Sequence, residues 1–368
     1  MTAKRTTRNG KIEFFRFFFS IAILLFHLGK YILGEAKCSN GIHLSLVVHG
    51  SIGVEFFFLI SGYLMAKSAS KLLKNDVCLG NETAIAKHTW KFILNKYKGI
   101  WFYHVVAWIP TLMLYCCIHA QSIIDVVRIL LESIPSLFLL QMSGIKCISP
   151  NHIEWYLSAM VITMFLIYPL LLRFNKAFSR IWAPFGALLI VGYLSHTTGR
   201  LTGVSVWMGV AYKSIYRAIA DLCLGIAAYE LSEYLRTMNL KRQEKVLLSV
   251  LEYGCYVFVC VFMLLTLDHK YEVYALAALF VAVAISFSEL SYGTHLFSNK
   301  LIFLLGELSL PIYLSQVFVI YVITNYLEHY SNRVLVSGGF AAVMILSVAM
   351  YWLHGAYQKK RMLRNETV

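Results

Sequence analysis

The sequence predicts an all-α, polytopic membrane bundle of about ten transmembrane helices, plus an outer interfacial or re-entrant helix. Three observations carry this. Hydrophobic residues make up 59% of the 368-residue chain and charged residues only 14%, against roughly 25% charged in a soluble globular protein. The mean hydropathy is +0.66. Apolar runs of near-spanning length recur from end to end, and basic residues cluster between alternate runs.

The ten runs fall at about 12–33, 48–68, 99–119, 153–173, 181–199, 215–235, 247–267, 272–289, 303–327 and 335–355. Each is close to the roughly 20 residues that cross a hydrocarbon core. With the N-terminus inside, 23 of the 33 lysines and arginines fall on inner segments. That asymmetry puts both termini in the cytoplasm of a multi-pass cell-membrane protein. It also explains the net charge of +14 without nucleic acid as a partner. No cleavable signal peptide is expected, because the first apolar run is too long and no small-residue cleavage site follows it.

An eleventh apolar segment, about 122–141, does not fit as a span, since it would invert everything after it. Ile123, Val126, Val127, Leu130, Leu131 and Ile134 recur at helical spacing, and Asp125, Arg128 and Glu132 interrupt them. This is the pattern of an amphipathic helix on the outer side. The longest extramembrane stretch, about 69–98, reads as a lysine-rich cytoplasmic loop. Pro110 and Pro169 lie within spans, where they are expected to kink helices around a cavity. No soluble domain is expected, so residues 1–368 form one integral-membrane domain.

The first span carries a polar stripe: Glu13, Arg16, Ser20 and His27, set among Phe, Ile and Leu. Eleven residues separate Arg16 from His27, so the two lie about 20° apart in azimuth and roughly 16 Å apart along the axis. An arginine at that depth must face protein or water, and the stripe is expected to line an internal cavity. A salt bridge from Glu13 to Arg16 is compatible with that role. In the sixth span Arg217 and Asp221 lie one turn apart and are expected to pair. Ser61 and Gly62 read as small residues that let helices approach closely.

Further motifs follow in order. The second span holds Gly53-Val54-Glu55-Phe56-Phe57-Phe58-Leu59-Ile60-Ser61-Gly62-Tyr63-Leu64, and Asn95-Lys96-Tyr97-Lys98-Gly99-Ile100 enters the third. Trp155-Tyr156-Leu157-Ser158 opens the fourth, which runs through Tyr168-Pro169. Gly306-Glu307-Leu308-Ser309-Leu310-Pro311-Ile312-Tyr313-Leu314-Ser315-Gln316 lies in the ninth. With Arg16-x10-His27, this series resembles the integral-membrane acyltransferase-three family, which O-acylates cell-surface polysaccharides. The resemblance covers residues 10–355.

The resemblance implies an O-acyltransferase that uses cytoplasmic acyl-coenzyme A, most simply acetyl-coenzyme A, as donor substrate, with no bound cofactor. The acceptor would be a hydroxyl of a cell-envelope or exported glycan. It also implies an essential histidine at His27 and an essential arginine at Arg16. The chain departs from the family pattern in three places. A basic pair spaced Arg-x-x-Arg reads Lys96-Tyr97-Lys98-Gly99 here. An acidic residue after the tryptophan–serine motif is replaced by Met160 and Val161. A histidine ending the Tyr-Leu motif is Gln316.

The residue chemistry agrees with that reading. Acyl transfer from a thioester to a hydroxyl needs a base, and a neutral imidazole at His27 suits the role. A covalent acyl-histidine is equally compatible with the sequence. Arg16, nearer the inner face, suits a phosphate or the pantetheine arm, and Lys96 and Lys98 add charge for the nucleotide end. Glu55 is placed to orient His27 or bind acceptor. Trp155, Ser158, Tyr313 and Gln316 are the candidate acceptor-binding residues, with Tyr313 and Gln316 one turn apart on one face. No spacing of cysteines or histidines suggests a metal site. Cys38 and Cys147, both on the outer side, are candidates for a disulfide. A transporter or flippase, or a non-catalytic relative of the enzyme, stays open as an alternative.

Overall fold

The computed structural model describes residues 8–34, 47–75 and 81–366. Twelve α-helices account for most of them: α1 Gly10–Leu28, α2 Gly53–Leu73, α3 Glu82–His119, α4 Ile123–Leu137, α5 Trp155–Ala177, α6 Ala183–Thr198, α7 Lys213–Thr237, α8 Arg242–Leu264, α9 Glu272–Ser288, α10 Thr294–Phe297, α11 Lys300–Tyr326 and α12 Asn332–Glu366. Among the described residues the one strand pair is Trp207–Met208 against Ala211–Tyr212. Among the described residues, eight helical segments are long and apolar enough to cross a membrane. Cys38 and His43 lie outside the described residues, as does the expected Cys38–Cys147 pairing.

Two of the expected spans share one apolar segment, His152–Thr198. It breaks at Asn175, whose φ of 42° leaves the helical region, and a π-turn at Phe178–Trp182 then leads into α6. Helix α7 matches the sixth expected span but is not among the eight. Its buried Arg217 and Asp221 lower its hydropathy. It sits inside the bundle, packed on α2, α5, α6 and α9, so its charges meet protein rather than lipid.

Helix starts follow side-chain caps. Asn9, Asn81 and Asn299 accept the backbone N–H of Ile12, Ala84 and Ile302, each satisfying an otherwise orphaned donor. The Asn81 cap also corrects the expected loop at 69–98. Helix α2 continues to Leu73 and α3 begins at Glu82, because hydropathy marks where lipid ends and not where a helix stops.

The 122–141 segment is a 15-residue helix, α4, with a Ser122/Asp125 capping box. It packs on α3 through Ile129, Trp108 and Leu112, while Ile123 and Ile124 are 82% and 77% exposed. Such an apolar stripe suits a helix lying at the membrane surface.

Helices α2 and α7 touch backbone to backbone. A Cβ on Gly62 would lie 2.2 Å from Leu222 O, and one on Gly225 would lie 2.2 Å from Leu59 O. Two bare glycines facing one another let these backbones touch.

Polar groups gather at two ends of the bundle. At the end bearing the N-terminus, buried Lys11 Nζ reaches Glu252 Oε2 at 2.8 Å and Ser291 Oγ at 2.9 Å. Arg236 donates to Phe287 O and Ser288 O. At the other end lie His49, Thr202, Glu272, Tyr31 and His152. The segments meeting at each end are those that alternate passage of the ten expected spans would place there.

Candidate active site

A cavity of about 400 Å³ opens at the N-terminal end of the bundle, between α1, α2, α3, α5 and α11. Its charged lining is Arg8, Glu13, Arg16, Lys67, Lys96, Arg236 and Glu289, five cationic side chains against two carboxylates. Apolar walls come from Phe57, Ile60, Leu64, Ile100 and Met160. The expected salt bridge is present, with Arg16 Nη1 3.0 Å from Glu13 Oε2. Arg8 grips the same carboxylate with Nε and Nη2, each at 2.9 Å, and also donates to Glu307. The Glu13 hydrogen bond, against desolvation, raises the Arg8 pKa above its ordinary value.

One carboxylate held by two arginines fixes both guanidinium planes and leaves net positive charge facing the cavity. Gly306 permits this arrangement, since a Cβ there would overlap Glu13 Oε2 at 2.1 Å.

Lys96 also lines a second cavity of about 530 Å³, with Lys71, His88, Lys91, Phe92 and Tyr168. There Phe92 stacks on Tyr168 at 4.0 Å between centroids. Lys96 is shared by the two cavities, so a lysine-rich trough lies next to the apolar-walled chamber. Lys98 is exposed and lines neither.

His27 lies further along α1 and does not line the chamber. Its Nδ1 is 2.7 Å from Oε1 of Gln316. Helix α11 connects the two places: Ser309, Leu310 and Tyr313 line the chamber, and Gln316 follows one turn after Tyr313. The ring therefore donates Nδ1–H to the amide oxygen, which leaves the Nε2 lone pair as its basic site. Gln316 is fully buried, and its Nε2 has no hydrogen-bond partner among the described residues. Tyr31 and His152, joined by a 2.9 Å hydrogen bond, stand beside His27, whose ring centroid is 6.3 Å from that of Tyr31.

The structure brings Arg16 and Lys96 to one cavity and His27 to Gln316. It holds three other candidates elsewhere. Glu55 is fully buried and accepts from Arg217 Nε at 2.7 Å, so its partner is Arg217 rather than His27. The expected Arg217–Asp221 pair is thereby corrected. Close packing of α2 on α7 brings Glu55 to the guanidinium, and Asp221 Oδ2 has no hydrogen-bond partner among the described residues. Trp155 stacks over the same guanidinium, 5.1 Å from ring centroid to Cζ. Ser158 is buried and accepts the Met142 backbone N–H at 3.0 Å. Tyr313 lines the chamber while its hydroxyl donates to Ile153 O.

Sequence reasoning missed Arg8, Lys67 and Arg236 as chamber residues. It counted them only as inner-side charge. Their shared position at same-side span ends was the available signal.

Comparison with known proteins agrees with the motif series. No curated protein and no solved structure shows a significant match. A family model described as an acyltransferase domain matches residues 9–352, a range that takes in His27, Gln316 and every chamber residue except Arg8. The chain therefore belongs to the acyltransferase-3 family and is a membrane acyltransferase.

Proposed function

We propose that the protein moves an acyl group, most simply acetyl, from coenzyme A to a hydroxyl of a cell-envelope glycan. The supporting observation is the cationic trough and chamber at one end of the bundle, with a tautomer-fixed histidine further along α1. A donor whose nucleotide end carries several phosphates suits Lys71, Lys91 and Lys96. Its neutral arm suits the apolar walls beyond Arg16, with the thioester carried further along α1 toward His27. The cationic end faces the cytoplasm of the cell membrane, where coenzyme A is found and where the basic residues accumulate.

His27 Nε2 takes the proton of the attacking hydroxyl as the oxygen bonds to the thioester carbon. The C–S bond then breaks, and the thiolate leaves with that proton. The unpartnered amide nitrogen of Gln316 is available to donate toward the carbonyl oxygen as charge develops there. Tyr31 and His152 provide a ring surface of the kind that packs against sugars.

The test is radiolabel transfer from acetyl-coenzyme A in membranes bearing wild type or His27→Ala, with total envelope glycan as acceptor. Base-labile label in wild type and not in the variant, at equal membrane content, supports the reading. Equal label in both removes His27 from the chemistry. Absence of label in both removes this donor–acceptor pair.

A further inference from the structure

At the end of the bundle away from the start of α1, His49 meets two side chains from a distant part of the sequence, His269 and Glu272. Each offers a ligand atom, and these atoms all lie within 4.8 Å of one another. His269 Nδ1 is 2.7 Å from Glu272 Oε1, and His49 Nδ1 is 4.0 Å from the same oxygen. His49 is 2% exposed.

The tautomer of His49 is set by its surroundings. Its Nε2–H donates to Leu267 O at 2.9 Å, so Nδ1 carries a lone pair. That atom has no hydrogen-bond partner among the described residues. A buried lone pair thus faces a carboxylate oxygen with no proton between them, an arrangement that a cation relieves. Donation of the second ring nitrogen to a backbone carbonyl is also how metal-binding histidines are held.

The carboxylate is braced in the same way. Glu272 Oε2 accepts from the backbone N–H of Leu201 at 2.7 Å and of Thr202 at 2.8 Å, and Oε1 accepts the Thr202 hydroxyl at 2.6 Å. The His49 backbone is tied to Met263 O at 3.1 Å. His269 is the adjustable member, with its side chain 48% exposed.

We propose that His49, His269 and Glu272 form a binding site for a divalent transition metal, with zinc the best match. The ligands would be His49 Nδ1, His269 Nδ1 and Glu272 Oε1, with a fourth position open to water. Zinc takes nitrogen and carboxylate oxygen ligands at about 2.0–2.2 Å, which sets tetrahedral ligand pairs about 3.3–3.5 Å apart. The 4.0 Å and 2.7 Å separations bracket that value. On binding, the His269 proton moves from Nδ1 to Nε2, and the metal takes the place it held against Glu272. The ion would clasp residues 47–52, the 199–202 turn and the start of α9. No sequence spacing points to this site, because His49 lies in a different segment from the other two. The inference does not depend on the acyltransferase reading.

The test uses the full chain in detergent, stripped with a chelator that is then removed. Zinc is titrated against a chromogenic competitor, and melting is followed with and without it. One equivalent bound by wild type with a raised melting temperature is expected. His49→Ala and His269→Ala should each bind about 100-fold more weakly or worse and lose the thermal shift, whereas His152→Ala should bind as wild type does. His269→Ala removes a half-exposed ring and one of the bonds to Glu272 Oε1, which keeps the Thr202 hydroxyl, so its metal-free protein should still fold and melt cooperatively. The proposal is overturned if monodisperse wild type takes up no zinc, or if both alanine variants bind as wild type does.

Discussion

The imidazole of His27 is locked to the amide of Gln316, Nδ1 to Oε1 at 2.7 Å. Helices α1 and α11 pack along one another, and this bond joins them near the C-terminal end of α1. It also decides which ring nitrogen is basic. An acceptor on Nδ1 commits the ring to presenting Nε2.

Gln316 should therefore be replaceable only by another acceptor. Gln316→Glu keeps an oxygen on Nδ1–H but gives up the amide nitrogen, and is expected to be more active than Gln316→Leu while staying below wild type. Gln316→Leu removes the acceptor and is expected to lower kcat about 10- to 100-fold, within the range of one general-base contribution. Initial rates of label transfer from acyl-coenzyme A, normalised to membrane content, measure both. Equal rates for Gln316→Leu and wild type would show that the tautomer is set in some other way.

The chamber separates two lysines that the sequence treats alike. Lys96 lines both cavities, and Lys98 is exposed and lines neither. Lys96→Ala should raise the KM for acyl-coenzyme A about 10- to 100-fold, as expected for a charge-assisted contact worth about 1.5–3 kcal/mol. Lys98→Ala should stay within about twofold, as for a surface change. Arg16→Ala should resemble Lys96→Ala in KM and also loosen Glu13, which would then be held by Arg8 alone. Saturation curves in donor concentration decide the ranking, and an effect of Lys98→Ala equal to that of Lys96→Ala would refute it.

The spans were legible because lipid demands long apolar runs, and α4 was legible because its stripe has helical spacing. Arg16 and Lys96 could be placed near one another from their shared position at the inner ends of spans. The Glu55–Arg217 bond could not. Local spacing favours Asp221, one turn from Arg217, and only the glycine-to-glycine approach of α2 and α7 brings Glu55 within reach. Gln316 was legible as a polar residue on a tunnel face, but its partner is 289 residues away. The His49–Glu272 cluster was invisible for the same reason: long-range meetings of single residues leave no periodic signature.

The Glu55–Arg217 pair predicts a stability phenotype. Both side chains are almost wholly buried, and removing one partner of a buried pair leaves an uncompensated charge at a cost of about 3–5 kcal/mol. Arg217→Ala should sharply lower the melting temperature in detergent. Glu55→Gln, which keeps an acceptor for the guanidinium, should lower it less. Turnover per folded molecule should stay near wild type in Glu55→Gln, because Glu55 contacts Arg217 and not His27. A variant that melts as wild type does but has lost turnover would return Glu55 to the chemistry.

The glycine contact between α2 and α7 gives the most local prediction. Gly62→Ala and Gly225→Ala each place a methyl 2.2 Å from a carbonyl oxygen of the opposite helix. That oxygen belongs to backbone and cannot rotate away, so the helices must separate, at about 1–3 kcal/mol for each added methyl. Separation would also lengthen the Glu55–Arg217 bond, since the same two helices carry it. The two substitutions together should then destabilise by less than the sum of their separate effects, because one displacement relieves both clashes. Gly99→Ala and Gly254→Ala are the controls. Their methyls meet nothing within 4 Å, and alanine favours the helix by up to about 1 kcal/mol, so melting should hold or rise. Thermal unfolding of wild type, the four single variants and the double variant in one detergent measures the set. Equal melting of Gly62→Ala and Gly99→Ala would mean that α2 and α7 are not in backbone contact.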